Sequence, residues 1–180
     1  MTTVEPIRDM RDIRKIESVL KTQGLRDLLL FKFGINSGLR ISDILNLNVC
    51  DVRNKSYVEL FEQKTGKHKK FPLNTQIRSL LKKYTLDMND DDPLFTSCFM
   101  NRMTRNTAYE IMNRACEIAQ LDINIGTHTL RKTFGYHHYK KYKDVALLQK
   151  IFNHTSPATT LFYIGIEQSE IDDTYLNFNL

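Results

Sequence analysis

Residues 25–47 read LRDLLLFKFGINSGLRISDILNL, and their apolar pattern predicts two successive helices. The first run is largely apolar from Leu25 to Phe33 and ends near Gly34 to Gly38. The second run has apolar residues at helical spacing, at Ile41, Ile44, Leu45 and Leu47. Because apolar residues dominate both runs, we expect a central, buried pair of helices.

Arg40 is a charged residue that lies between these two apolar runs, three residues before Asp43. It follows glycines that permit close approach of the backbone. A charged side chain in such surroundings must be paired or bound to a ligand. Two interpretations stay open at this point, a salt bridge to Asp43 and the binding of an anion.

The chain on either side predicts further helices and one hairpin. Apolar residues recur at helical spacing from Pro6 until Gly24 stops the helix. The segments 57–61 and 69–73 flank a turn that contains Thr65-Gly66, which indicates an antiparallel hairpin with a basic tip.

The helical pattern returns after the hairpin, over 75–84, 104–119, 127–142 and 144–153. A last helix begins at Ser156-Pro157, a pair suited to the N-cap and the first turn. The acidic run at 90–92 is typical of a solvated loop. We therefore expect an α+β fold that is mostly α, with one small antiparallel sheet, in a single domain with a core at 1–165 and a tail at 166–180.

Composition bounds the size, the partners and the location of the chain. Its 180 residues, 41% of them hydrophobic, are enough for one well-packed core. The formal charge of +5 makes a polyanionic partner plausible. Cys50, Cys98 and Cys116 form no CxxC pair, which argues against a disulfide framework and a cysteine zinc site. No apolar stretch suits a membrane span or a signal peptide, so we expect a soluble, cytoplasmic protein.

His128 and Arg131 lie three residues apart, which predicts that both face one side of a helix. An arginine fork binds two oxygens of a phosphate, and a nearby histidine can donate to the same group or exchange a proton with it. Taken alone, such a pair is more often a contact at the surface or the edge of the core.

Lys64 lies at the hairpin turn, where an ammonium can reach a ligand as a point charge or a proton donor. A solvated basic turn and a sequence-independent phosphate contact are the alternatives. His154 precedes the last helix, and Tyr163 follows nine residues later. As isolated residues they are more typical of a helix end and a core edge.

In this order the motifs resemble the signature of the tyrosine recombinases, also called the phage integrase family. The motifs are Arg40 in GLRISDIL, Lys64 in QKTGK, His128 and Arg131 in HTLRKT, His154 in FNHTS, and Tyr163. Each motif is weak alone, but the ordered set is not, and the resemblance covers nearly all of the chain, from about Pro6 to Gly165. One departure is Asp43, where many members of the family have a glutamate, although an acid there can still orient Arg40.

The resemblance implies a helical catalytic domain that cuts and rejoins DNA through a phosphotyrosine bond to Tyr163. Arg40 and Arg131 would stabilise the charge that builds on the phosphate, and His128 would assist proton transfer. This chemistry would need no metal, cofactor or ATP.

The remaining residues complete the site that the resemblance implies. His154 would hydrogen-bond the phosphate, and Lys64 would protonate the departing 5′ hydroxyl. Further contacts to DNA are expected from the nearby lysines Lys67, Lys69, Lys70 and Lys132.

The family also implies double-stranded DNA and a homo-tetramer as partners, with no membrane. The apolar residues of the tail at 167–180 suit docking on a neighbouring subunit or on the chain's own domain. Typical members carry an amino-terminal clamp domain that does not precede Met1 here, so we expect a minimal protein or a fragment, with a separate accessory or clamp protein as a possible partner.

Three other functions compete with this interpretation. The first is a DNA-binding regulator of the same fold that does not cleave, and the second is a type IB topoisomerase-like relaxation of one strand. The third is a metal-dependent nuclease, which the sequence disfavours because Asp90, Asp91 and Asp92 lack a matching set of ligands.

Overall fold

The computed structural model describes residues 4–126, 128–166 and 175–178, and it is mostly helical with one two-stranded antiparallel sheet. The elements are α1 (Met10–Gln23), α2 (Leu25–Ser37), α3 (Ile41–Leu45), a 3-10 turn (Val49–Asp51), β1 (Tyr57–Phe61), β2 (His68–Pro72), α4 (Thr75–Tyr84), α5 (Arg105–Ile118), α6 (Thr129–Tyr142), α7 (Val145–Phe152) and α8 (Pro157–Tyr163). The predicted fold class is confirmed.

Helix α2 lies at the centre of the main core, as predicted. Its residues Leu29, Leu30, Phe31 and Phe33 are buried, and α1, α4 and α6 pack around it. A Cβ on Gly34 would lie 2.5 Å from a methyl of Leu130 on α6. The two helices therefore approach closely, which brings the start of α6 to the end of α2.

Gly38 turns the chain sharply after α2. Its φ of 62° is left-handed, a conformation that glycine adopts without strain, and the ring of Phe134 fills the space where a Cβ would lie. Arg40 follows as the N-cap residue of α3. This turn places Arg40 and the carbonyl of Gly38 beside α6.

The hairpin pairs β1 with β2 in the register Tyr57↔Pro72 to Phe61↔His68. The second strand begins at His68, one residue earlier than predicted. Val58 is buried in the main core and fixes the hairpin to it. The loop between the strands projects from this anchored base with its lysines.

A second, smaller apolar cluster joins α6, α7 and α8 through Leu148, Phe152 and Ile164. Helix α8 begins where it was predicted to begin, because the Ser156 hydroxyl accepts a hydrogen bond from the backbone N–H of Thr159 and Pro157 occupies the first turn. Tyr163 ends this helix. The residue therefore belongs to a unit with its own packing.

The acidic run at 90–92 makes hydrogen bonds and an ion pair that the prediction of a solvated loop did not include. The backbone carbonyls of Asp90 and Asp92 accept hydrogen bonds of 2.9 and 3.0 Å from Cys50 and Val49, and the Asp90 carboxylate pairs with Arg53 at 2.7 Å. The loop is thus docked onto the chain that precedes the hairpin.

Two other expectations concern the whole chain. None of the helices in the described ranges is long and apolar enough to cross a membrane. Most of the tail, residues 167–174 and 179–180, lies outside the described residues, so its predicted docking stays a prediction.

Candidate active site

Arg40, Lys64 and His128 line one groove with a volume of about 520 Å³. They come from three separate parts of the chain: the turn before α3, the hairpin loop and the start of α6. Arg131, His154 and Tyr163 lie beside them and interact with one another or with His128. The fold therefore brings together the six residues that the sequence singled out.

The hydroxyl of Tyr163 lies 3.2 Å from Nδ1 of His128, and the two rings meet edge to face. Burial raises the pKa of the Tyr163 phenol, while the positive charges of Arg131 and Arg40 act against the rise. The phenol is therefore protonated at neutral pH and needs a partner that accepts its proton.

His128 is the N-cap residue of α6, so the prediction that it lies within the helix is wrong by one position. The adjoining Thr127 lies outside the described residues. Burial lowers the pKa of His128, and the charges of Arg131 and Lys132 lower it further. A neutral imidazole at pH 7 is able to accept the Tyr163 proton.

Arg131 is 2% exposed and is held by backbone carbonyls. Its Nη1 donates to Gly38, and its Nη2 donates to Phe152 at 2.8 Å. The guanidinium also lies 4.3 Å from the centre of the Phe152 ring. These contacts fix the plane of the guanidinium and use two of its five N–H groups.

Arg40 is paired with a carboxylate that the sequence did not single out. Its Nη1 lies 3.0 Å from Oε2 of Glu62 but 3.9 Å from Oδ2 of Asp43. Asp43 instead accepts a hydrogen bond of 2.9 Å from the backbone N–H of Gln63. The nearest acid that orients Arg40 is therefore Glu62, and Asp43 holds the hairpin loop.

Glu62 was missed because a glutamate beside a basic turn is typical of the surface. It is 1% exposed, and its Oε2 accepts hydrogen bonds from the Thr65 hydroxyl at 2.7 Å and from Asn153 at 3.2 Å. The only sequence signal was its position at the end of a half-buried strand.

His154 stacks its ring edgewise on Tyr163, with 5.0 Å between the ring centres. Its Nδ1 lies 3.1 Å from the Thr160 hydroxyl. Burial lowers its pKa to about 4, and the charges of Arg131 and Arg40 contribute. The imidazole is therefore neutral at physiological pH.

Of the four lysines expected to contact DNA, two are exposed and two point inward. Lys67 is exposed on the hairpin loop, and Lys70 is exposed and pairs with Glu59 at 3.5 Å. Lys69 points inward and donates to the carbonyl of Ile151 at 3.0 Å. Lys132 is buried and donates to the carbonyl of Val4 at 2.6 Å. The inward placement of the last two does not favour a role in binding DNA.

Two arginines that the sequence did not single out also line the groove. Arg102 donates to the carbonyls of Leu45 and Leu47 at 2.7 and 3.1 Å, which makes it structural. Arg105 is exposed at the first turn of α5. It adds a further positive charge to the lining of the groove.

The arrangement has the parts of a phosphoryl-transfer site. A half-buried tyrosine supplies a nucleophile, a neutral histidine accepts its proton, and two arginines offer donors to a phosphate. Within the described ranges, no group of three or more His, Cys, Asp or Glu side chains is arranged to hold a metal.

Comparison with known proteins identifies the family. The model of the phage integrase family matches residues 8–170. The chain belongs to this family. It is 44% identical to the probable integrase/recombinase YoeC of Bacillus subtilis over 179 residues, which is 99% of this chain and 98% of YoeC.

Other members of the phage integrase family are longer. The tyrosine recombinase XerD of Oceanobacillus iheyensis is 26% identical over 92% of this chain, which spans 59% of XerD. The crystal structure of XerA recombinase superposes with a TM-score of 0.81 at 21% identity, over 99% of this chain and 68% of that one. The chain is thus an enzyme of the tyrosine recombinase class, with the fold of that class.

Proposed function

We propose that the chain cleaves and rejoins DNA strands through a covalent bond between Tyr163 and a 3′ phosphate. The observation that carries the proposal is the contact of 3.2 Å between the Tyr163 hydroxyl and Nδ1 of His128, beside two arginines. The Tyr163 oxygen forms a bond to phosphorus, the bond to the 5′ oxygen breaks, and the tyrosine proton passes to His128.

The two arginines stabilise the negative charge that develops on the phosphate oxygens. Arg131 suits this role because its plane is already fixed by two carbonyls, so little order is lost when a phosphate binds. Arg40 is held by Glu62 at the wall of the groove. Both charges are in place before the substrate arrives.

His154 and Lys64 supply the remaining proton donors. The single hydrogen of the Thr160 hydroxyl can go either to the Ser156 carbonyl at 3.2 Å or to Nδ1 of His154 at 3.1 Å. In the second arrangement the ring carries its proton on Nε2 and can donate it to a phosphate oxygen. Lys64 is exposed on the hairpin loop and lines the groove, where it can protonate the departing 5′ oxygen.

The covalent step conserves the energy of the broken bond, since one phosphodiester replaces another. A 5′ hydroxyl from a second duplex can therefore attack the phosphotyrosine without ATP or a metal. Exchange of both strands between two duplexes breaks four strands, and each break needs its own Tyr163. We therefore propose a homo-tetramer on DNA. We also propose that it acts in the cytoplasm, with a separate clamp protein as a further partner.

The test uses duplexes that carry a nick shortly after the cleavage position, so that the short 5′-hydroxyl fragment diffuses away. Because the target site is unknown, a library of nicked duplexes with a randomised central sequence is incubated with the protein. Covalent complexes are then collected under denaturing conditions. We expect a denaturation-resistant adduct with a subset of sequences, and none with Tyr163→Phe.

Each outcome assigns a function. Adduct formation that also joins strands of two duplexes supports recombination, whereas relaxation of supercoiled DNA by monomers supports the topoisomerase-like alternative. Binding of DNA without any adduct would overturn the proposal and favour the non-cleaving regulator.

A further inference from the structure

The end of α7 is held by polar groups at three consecutive residues. The ammonium of Lys69 donates to the carbonyl of Ile151 at 3.0 Å, and Arg131 donates to that of Phe152 at 2.8 Å. The side-chain amide of Asn153 donates to Glu62 at 3.2 Å. Two of these partners, Glu62 and Lys69, belong to the hairpin.

These contacts lie at the boundary between the two apolar clusters. The smaller cluster carries α7, α8 and Tyr163, whereas the hairpin is anchored in the main core through Val58. His154 follows Asn153 directly. The polar contacts therefore join the unit that bears the nucleophile to the unit that bears Lys64 and Arg40.

Glu62 and Lys69 are buried charges that take no part in the bond-making and proton-transfer steps of the proposed chemistry. Their side chains are 0% and 10% exposed, and Nζ of Lys69 lies 3.9 Å from Oε1 of Glu62. Glu62 also lies 3.0 Å from Arg40. Burying such a pair adds little stability compared with apolar residues of the same size, because each charge loses its hydration. A geometric role explains the pair better than a contribution to stability.

We propose that Glu62 and Lys69 are positioning residues that clamp the α7–α8 unit against the hairpin and thereby set the place of Tyr163 relative to Arg40 and Lys64. This inference rests on the proposed function. It adds that the hairpin controls the nucleophile as well as carrying the general acid.

The first test is the rate of a single round of cleavage, measured with saturating nicked DNA. The variants are Lys69→Met, which keeps the length of the side chain without its charge, and Glu62→Gln, which keeps the shape of the side chain without its charge. Exposed residues outside the hairpin supply the matched controls, Lys83→Met on α4 and Glu117→Gln on α5. We expect both clamp variants to cleave at least about tenfold more slowly, because small misplacements of reacting groups are costly.

Three readouts separate positioning from a merely structural role. The dissociation constant for DNA stays within about twofold of the wild-type value, because the clamp does not line the DNA groove. Lys69→Arg, which retains the charge and the donor, recovers most of the rate. The double variant loses no more than about the larger of the two single losses, since the residues act as one unit.

The second test does not depend on cleavage. Hydrogen exchange of the backbone amides at 154–166 is compared between the wild type and each variant, with α2 as the internal reference. We expect faster exchange in this segment alone. Folded Glu62→Gln or Lys69→Met with unchanged exchange and an unchanged rate would overturn the clamp, as would a uniform rise in exchange through α2. If the wild type forms no adduct, the proposed function fails, while the exchange data still decide the clamp.

Discussion

Among single residues, Arg131 has two roles in our account. It links two parts of the chain through hydrogen bonds, and it binds the phosphate in the proposed reaction. Two of its N–H groups donate to the carbonyls of Gly38, which follows α2, and Phe152, which ends α7. Its buried charge is tolerated because the guanidinium is hydrogen-bonded and lies over an aromatic ring. Structure and chemistry therefore depend on the same side chain.

We expect Arg131→Lys to damage both properties. A single ammonium cannot satisfy both carbonyls and also present a planar fork to a phosphate. The free energy of unfolding should fall by about 1–3 kcal/mol, as expected for a buried polar group left unpaired. Cleavage of nicked DNA should slow by about a hundredfold or more. Denaturant unfolding and single-turnover cleavage measure the two effects, with Arg114→Lys on the exposed face of α5 as control.

His154 should remain neutral in the free protein throughout the range from pH 7 to pH 5. Its pKa of about 4 lies below the ordinary value of 6.5, chiefly because of burial. Folding therefore opposes protonation, and stability from this group is lost as the pH falls from 6.5 to 4. Nuclear magnetic resonance of the ring nitrogens measures the titration directly. A midpoint near 6.5 would contradict the buried placement of the ring.

The sequence identified the groups that we propose to react but not all of the groups that hold them. The six reactive residues stand in motifs whose order is informative. Glu62 and Lys69 were not distinguishable from surface residues, because burial of a charge depends on which distant element covers it. The cover here is α7, which lies far along the chain from the hairpin.

At the scale of elements, the position of Tyr163 depends on close packing between α6 and the unit formed by α7 and α8. A Cβ on Gly135 would lie 2.6 Å from Ile164 and 2.7 Å from the ring of Phe152. Glycine is therefore required at this crossing for steric reasons. Because glycine has no side chain, the α7–α8 unit that bears Tyr163 can lie against α6, the helix that carries Arg131.

We expect Gly135→Ala to push these helices apart. An additional methyl in a packed core costs about 1–3 kcal/mol of stability, although alanine itself favours a helix. The displacement should also slow cleavage. Calorimetry and the nicked-DNA assay measure the change, and Ser18→Ala on the exposed side of α1 serves as the control. An increase in stability at Gly135→Ala would show that the crossing is looser than described.

Element boundaries were predicted well where local chemistry defines them. Ser156 and Pro157 start α8 by capping and by a fixed backbone angle, and both effects are readable in the sequence. The start of α6 was placed too early, because His128 carries no local signal that separates a cap from a first turn. The docking of the loop at 90–92 was also missed, since its partners are backbone groups and the Arg53 side chain, all distant in sequence.

For the whole molecule, the net charge of +5 is less informative than where the charges lie. Arg40, Lys64 and Arg105 line one groove, and this lining is the surface that faces DNA in our proposal. Lys69 and Lys132 count equally toward the total but point inward. The net charge follows from the sequence alone, whereas the fold was needed to distinguish surface lysines from buried ones.

Arg105 offers a test of this surface. Arg105→Gln should weaken DNA binding and reduce the slope of log affinity against log salt concentration by about 1, because one phosphate contact is lost. Arg114→Gln, on the same helix but outside the groove, should leave the slope unchanged. Binding measured over a range of salt concentrations gives both slopes. Equal losses in the two variants would place the DNA surface elsewhere.

The most direct test of the account locates the covalent bond itself. Residues 151–180 contain no lysine or arginine, so trypsin releases Tyr163 and Tyr175 on one peptide, and tandem mass spectrometry of the nuclease-trimmed adduct assigns the modified residue. The account predicts a nucleotide joined through its 3′ phosphate to Tyr163. A nucleotide on Tyr175 or any other residue, or one joined through a 5′ phosphate, would contradict it.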